Sequence, residues 1–309
     1  MKIIFAGSSD FAIPALEEIA SHREHKILLA VSQPAKPKGR RQVMEDTPLA
    51  QAAQMLGIPL FCPDNINDQH NIERLREEAA DILITASYGA FLGRTLRNLF
   101  PYGAINLHPS LLPEYRGPSP VRAAILAGET LTGNSIFRLA AKMDAGPLLM
   151  QEKLEILPNE DYGALEQRLA LLASEMLIKY LQQPQSYPAV KQDDGRATYS
   201  RMLNKEDLHL DFSLPAEQIQ RRIRAYAPEP GARVSFKGKM LKILQAEQGE
   251  KNSKAAPGQI TSIVHNKGFC LSTADKELLI LRVQAAGKKQ MDAWAYHLGA
   301  RLNIGERIE

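Results

Sequence analysis

The 309-residue sequence predicts an α/β protein, a Rossmann-like, mostly parallel sheet domain followed by a small OB-like β-barrel domain. Three observations predict it. Over residues 1–140 short apolar runs alternate with amphipathic segments, the spacing of βαβ units. Several runs are continuously apolar, as in Asp81-Ile-Leu-Ile-Thr-Ala86, which suits strands covered on both faces. Beyond residue 206 the pattern changes to short strand-like runs punctuated by Gly and Lys, the pattern of a small barrel.

Taken in chain order, the strand expectations are Lys2–Ala6, Ile27–Ser32, Ile58–Phe61, Asp81–Ala86 and Ala104–Leu107. Helical patterns lie between and after them at Ala12–Ser21, Pro48–Leu56, Ile72–Ala79 and Leu92–Leu99. Ser135–Leu139 and Leu148–Leu154 read as two further strands flanking a turn at Asp144-Ala-Gly146. A long helix over Tyr162–Leu181 follows, with Leu165, Leu169, Leu172, Met176, Leu177 and Tyr180 at three- and four-residue spacing. The polar stretch after it holds Pro184 and Pro188 and reads as an interdomain connection. The expected boundaries are a first domain over 1–189, a linker over 190–206 and a second domain over 207–309. In the second domain a helix over Ala216–Ala225 precedes strands at Arg233–Phe236, Leu241–Ala246, Gly258–Val264, Gly268–Ser272 and Glu277–Val283.

Composition narrows the function. At 44% hydrophobic and 24% charged residues, the chain has apolar material for two cores without disulfides or a metal. Two distant cysteines, Cys62 and Cys270, fit a reduced, cytoplasmic protein. No run of about 18 apolar residues exists, so no spanning helix and no membrane partner are expected. The net charge of +3 is unevenly shared, because residues 207–309 hold 16 Lys/Arg against 11 Asp/Glu. That surplus points to a polyanionic partner for the second domain.

The chemistry concentrates in Ala104-Ile-Asn-Leu-His-Pro-Ser-Leu-Leu-Pro-Glu-Tyr-Arg-Gly117. Asn106 and His108 close an expected parallel strand, where ligands of open α/β sheets bind. Strand alternation puts both on one face. A carboxamide can donate to an oxyanion, and an imidazole can donate, accept or carry charge near neutral pH. Singly, Asn106 could merely end a strand and His108 could be a structural histidine; together, at a strand end, they point to chemistry. Asp144 alone reads as good turn chemistry.

The run Asn-x-His-x-Ser-Leu-Leu-Pro-x-Tyr-Arg-Gly resembles the signature of the 10-formyltetrahydrofolate-dependent formyltransferases, and Met143-Asp-Ala-Gly-Pro147 resembles a second segment of that family. The resemblance implies a catalytic set of Asn106, His108 and Asp144, with 10-formyltetrahydrofolate as co-substrate and no metal. It implies that Ser110, Leu111, Leu112 and Pro113 lie against the folate. Tyr88 and Gly89, after the apolar strand, are similar to the family's pterin-side turn. Phe91-Leu-Gly-Arg94 departs from the Leu-Pro that relatives usually carry there.

Among family members, a chain of this length with a linker and a barrel resembles those that formylate initiator methionyl-tRNA, for translation initiation. Gln33-Pro-Ala-Lys-Pro-Lys-Gly-Arg-Arg-Gln42 is similar to their acceptor-stem loop, which implies tRNA contacts at Lys36, Lys38, Arg40 and Arg41. In the barrel domain, Lys237, Lys239, Lys288 and Lys289 are the further candidates, alongside Arg221, Arg222, Arg224 and Lys242. A monomer is expected. The competing expectation is a formyltransferase acting on a UDP-amino sugar, against which the basic loop and the basic second domain both speak. A folate- or tRNA-binding protein without activity fits the intact Asn106, His108 and Asp144 poorly. A nicotinamide dehydrogenase fits poorly too, since Phe5-Ala-Gly-Ser-Ser-Asp10 lacks Gly-x-Gly-x-x-Gly spacing.

Overall fold

A computed structural model describes residues 1–38, 42–249 and 254–309. The elements in chain order are β1 (Lys2–Gly7), α1 (Ile13–Ser21), β2 (Lys26–Val31), β3 (Lys36–Lys38), β4 (Val43–Glu45), α2 (Pro48–Met55), β5 (Leu60–Phe61), α3 (Gln69–Glu77), β6 (Ile82–Ala86), α4 (Arg94–Arg97), β7 (Ala104–His108), α5 (Pro120–Ala127), β8 (Leu131–Arg138), β9 (Leu148–Glu155) and α6 (Tyr162–Gln182). There follow α7 (Ala216–Tyr226), β10 (Ala232–Phe236), β11 (Lys239–Gln248), β12 (Ile260–Val264), β13 (Gly268–Ser272), β14 (Glu277–Ala285), β15 (Met291–Asp292) and α8 (Ala293–Ala300). Two compact units result. The first comprises residues 1–120, 131–155 and 166–200; the second comprises 121–130, 156–165 and 201–309.

The first unit is built on a seven-stranded sheet in the order β5-β2-β1-β6-β7-β8-β9. Strands β5 to β7 run parallel, as continuous apolar runs predict, and β8 returns antiparallel to β7. Every residue of β6 is buried. One face packs Ile4, Leu29, Val31 and Leu83 against Ile72, Leu75, Leu96 and Phe100. The helix α2 starts where Thr47 accepts the Ala50 N–H at 3.2 Å and Pro48 fixes the first turn. Because β6 and β7 pair parallel with Thr85 opposite Asn106, both strands end at the same rim, which becomes the site.

Residues 190–200, within the stretch the sequence assigns to a linker, carry main-chain hydrogen bonds of the first unit. The Leu148 and Val190 backbones exchange two bonds at 2.8 Å, and the Arg116 N–H donates to Thr198 at 2.9 Å. The expected basic loop after β2 contains a small hairpin, β3 paired with β4, with Lys36 opposite Glu45.

In the second unit a six-stranded antiparallel sheet runs β10-β11-β14-β13-β12, with β15 on β14. Helix α7 buries Ile219, Ile223 and Tyr226 on one face. No ladder joins β10 to β12 among the described residues; instead, residues 305–309 lie between them. Glu309 exchanges backbone bonds with Ser235 of β10, while Ile308 donates to Gly258 at 2.9 Å and Ile260 of β12 donates to Glu306 at 2.8 Å. The last residues of the sequence therefore satisfy both sheet edges, which would otherwise expose unpaired backbone groups.

Candidate active site

Two adjacent strand ends and one turn form the site. Asn106 and His108 stand two residues apart on β7, so they share a face. The Thr85 hydroxyl, across the ladder on β6, donates to Asn106 Oδ1 at 2.7 Å. That bond fixes which end of the carboxamide faces out. Among the described residues no protein acceptor takes the Asn106 Nδ2 hydrogens, so the amide presents donors outward.

His108 is held on both sides. Its Nε2 lies 3.0 Å from the Tyr115 carbonyl oxygen. A carbonyl oxygen can only accept, so Nε2 carries a proton and Nδ1 is the nitrogen left for chemistry. Nδ1 faces Asp144 Oδ2 at 3.8 Å, with the two side chains only 6% and 14% exposed. Phe137 meets the imidazole edge-on, ring centroids 6.3 Å apart. Asp144 itself has φ +50°, in the left-handed region where aspartate is tolerated better than most residues. Its Oδ2 accepts the Gly117 N–H at 2.7 Å. Gly146, closing the same turn, has no room for a side chain, because a Cβ there would sit 1.7 Å from the Arg138 carbonyl oxygen.

The residues expected to line the folate are mostly buried. Ser110, Leu112 and Pro113 are covered, and Leu111 is half-buried. The Ser110 hydroxyl donates to Glu114 O at 2.6 Å, and Ser135 Oγ ties Ser110 O to the Leu112 N–H. These bonds set the shape of a stiff wall. Tyr88 is buried and Gly89 exposed, at φ +78°. Burial, with a smaller contribution from nearby Cys62, pushes the Tyr88 phenol up to about 12, so it stays a neutral donor. The departure at Gly93 has a structural partner. The Gly93 N–H donates to Asn67 Oδ1 at 2.6 Å and Asn67 Nδ2 donates to Phe91 O at 2.9 Å, so Asn67 pins the loop through a donor that proline lacks.

The basic residues fall into separate groups. Lys36 begins the hairpin; Arg40 and Arg41 lie outside the described residues, as does the side chain of Lys38. In the second unit, Lys237 and Lys239 flank the β10–β11 turn, and Lys288 and Lys289 follow β14. Leu241 pairs with Ala285, and the Ala286 N–H reaches Met240 O, so both turns stand at one end of the barrel and all four exposed lysines gather there. Lys237 is paired to Glu306 at 2.8 Å. Lys242 contacts Glu229 at 3.3 Å, Arg221 pairs with Glu217, and Arg224 donates to Pro158 O at 2.8 Å. Among the described residues no three His, Cys, Asp or Glu side chains form a metal-ligating group, and no helix is long and apolar enough to cross a membrane.

Three residues of the site escape a reading of the sequence. Thr85 reads as part of a core strand. Arg116 belongs to the motif, but its burial, at 2% exposed, does not show in the pattern. Gln192 lies 76 residues further on in a polar stretch, yet its Oε1 accepts both Arg116 Nε at 3.1 Å and Nη2 at 2.8 Å. Only the invisible long-range pairing distinguishes it from a linker residue.

A strand-end carboxamide, an imidazole and a carboxylate thus stand at the rim of an open α/β sheet beside an apolar wall, an arrangement that can donate hydrogen bonds to a developing oxyanion. Comparison with known proteins specifies the class. The Formyl transferase family model matches residues 1–181, and the Formyl transferase C-terminal domain model matches residues 202–301. The chain belongs to the formyl transferase family. The methionyl-tRNA formyltransferase of Roseiflexus castenholzii is 37% identical over 311 residues, covering 100% of this chain and 99% of the relative. That of Thermotoga maritima is 36% identical, with coverage of 100% and 98%. Among solved structures, methionyl-tRNA formyltransferase from Clostridium thermocellum shares the fold at TM-score 0.57 and 16% identity, covering 81% of this chain and 94% of that one. The sugar 3N-formyl transferase WlaRD shares it at TM-score 0.63 and 19% identity, covering 94% and 99%.

Proposed function

We propose that this protein moves the formyl group of 10-formyltetrahydrofolate to the amino group of initiator methionyl-tRNA, with Asn106, His108 and Asp144 as its catalytic residues. The observation that carries the reading is the convergence of these three side chains, with His108 Nδ1 turned toward Asp144 at 3.8 Å, in a chain matched end to end by methionyl-tRNA formyltransferases.

The steps follow from the charge that develops and from the chemistry of these side chains. The neutral amine attacks the formyl carbon on N10 of the folate, and the carbonyl oxygen becomes an oxyanion. Asn106 Nδ2–H donates to it, and His108 donates through Nδ1–H when the ring is protonated, as an oxyanion hole requires. Asp144, locked by the Gly117 N–H, orients the imidazole and accepts the proton that the attacking nitrogen must lose, directly or through a water. Collapse breaks the bond to N10, which takes a proton, and leaves formylmethionyl-tRNA and tetrahydrofolate. Ser110 to Pro113, with Tyr88 and Gly89, form the folate side. Folate binding sits in the first domain, and tRNA binding spreads over Lys36, Lys38, Arg40, Arg41 and the lysine cluster Lys237, Lys239, Lys288 and Lys289. The protein works in the cytoplasm, as a monomer.

The test offers 10-formyltetrahydrofolate with methionyl-tRNA or with a UDP-amino sugar, the substrate of the competing reading. Formylmethionyl-tRNA as the main product supports the proposal; formylation of the sugar alone overturns it.

A further inference from the structure

A buried network behind the site is unused by the mechanism above. Arg116 is among the largest fully buried side chains of the molecule, and Gln192 is 5% exposed beside it. The guanidinium also donates to Asp194 Oδ1 at 2.7 Å, and its Nη1 lies 3.5 Å from the Tyr199 hydroxyl. Burial pulls the Arg116 group down, but its hydrogen bonds to Asp194 and Tyr199 outweigh that and keep it above its ordinary value. A permanent positive charge therefore sits against Gln192.

Gln192 passes that anchoring on. Its Oε1 takes two guanidinium hydrogens, and its Nε2 donates to Asp144 O at 2.8 Å and to Gly146 O at 2.6 Å. Both ends of the amide are thereby spent, and the bonds polarise one another in a dry setting. The two carbonyls it holds bracket the turn that carries Asp144 in its left-handed conformation. No other side chain among the described residues donates to these two carbonyl oxygens. Neighbouring residues of the same segment brace the opposite wall. Thr198 Oγ1 accepts the Tyr115 N–H at 2.8 Å, and Tyr115 O is the acceptor that fixes His108. One anchor on each side of the His108–Asp144 pair thus rests on residues 192–198, a stretch between the two family matches, which end at 181 and resume at 202.

We propose that Gln192 is a positioning residue for formyl transfer. Its amide, set by Arg116, holds the turn of residues 144–146 so that the Asp144 carboxylate faces His108 Nδ1. This rests on the catalytic reading of Asp144 given above. A displacement of about 1 Å at a reacting group costs on the order of 10²-fold in rate.

The test is a double-mutant cycle with the full chain, 10-formyltetrahydrofolate and methionyl-tRNA. Gln192→Met keeps the size and removes the bonds; Gln192→Ala removes both. The expected result is a fall in kcat of about 10²-fold with KM for the folate unchanged. In the Asp144→Asn background either substitution should then cost little more, because the group it positions is already gone. Full activity of both Gln192 variants beside an inactive Asp144→Asn overturns the positioning role and leaves the catalytic reading standing. Full activity of Asp144→Asn overturns the catalytic reading itself. Costs that multiply in the double variant show Gln192 acting independently of Asp144, and loss of folate binding in both Gln192 variants assigns it to the fold; either result also overturns the proposal.

Discussion

The polar groups of the two units are treated in opposite ways. At the rim of the first unit, Thr85, His108, Arg116, Ser135 and Gln192 are buried, and each has a named hydrogen-bond partner at 3.1 Å or less. At the end of the barrel in the second unit, Lys239, Lys288 and Lys289 are exposed at or beside turns. On the proposed function, the difference follows from what each surface has to do. Stabilising a charge that develops on one oxygen needs donors fixed before the reaction, which requires a dry, fully bonded surround. Holding a polyanion needs positive charge within reach, and solvated lysines supply that with little geometric demand.

The contrast predicts unequal sensitivities. The largest should be at the rim. Asn106→Leu, similar in size but without donors, should lower kcat by about 10²–10³-fold while folate binding, measured by fluorescence titration, persists. Arg116→Met comes next. Leaving the buried Gln192 Oε1 without its donors should cost about 1–3 kcal/mol in urea unfolding. Thr85→Val keeps the shape of β6 and frees Asn106 Oδ1. A lost hydrogen bond of about 1 kcal/mol should lower kcat by about fivefold.

The barrel lysines should behave differently. Replacing Lys239, Lys288 and Lys289 with alanine should leave kcat at saturating tRNA intact. It should weaken tRNA binding and flatten the slope of log Kd against log salt by about 0.7–0.9 for each lost phosphate contact. An unchanged slope would exclude this surface from the tRNA interface. The smallest effect belongs to Asp207, which Arg201 grips with two nitrogens and the Asn204 N–H meets at 2.8 Å. The hydrogen bond from Arg201, then that from Asn204, holds its carboxyl down at about 2 from an ordinary 3.8. A carboxyl depressed on folding contributes stability above its unfolded value and loses it as pH falls through the folded one, so the window is about pH 4 to 2. The pair is at the surface, so Asp207→Asn should remove only about 0.2–1 kcal/mol at neutral pH and abolish that component of the acid transition.

Local pattern carried much of the molecule. Buried parallel strands announce themselves as apolar runs, and β1, β6 and β7 fall where such runs stand. Helix α8, Ala-Trp-Ala-Tyr-His-Leu-Gly-Ala, is not legible in the sequence, because its alternating small and bulky residues lack a helical stripe. It is packed in place at Ala293, whose Cβ would lie 3.0 Å from a Cβ at Gly268. Helix α5, Pro-Val-Arg-Ala-Ala-Ile-Leu-Ala, is apolar nearly all round and so carries no polar–apolar period from which a helix can be read. Closure of the barrel by residues 305–309 uses backbone bonds, to which side-chain pattern is blind. At the site, Asn106 and His108 were legible because strand alternation is a local rule. Gln192 was not, because its meaning depends on Arg116, far away in the chain.

Asn106, His108 and Asp144 are proposed to perform the transfer together. Single-turnover formylation by His108→Ala, with 10-formyltetrahydrofolate and methionyl-tRNA both saturating, tests it most directly. A rate lower by about 10²–10³-fold with folate binding intact is the result expected. A rate equal to that of the unaltered protein would contradict it.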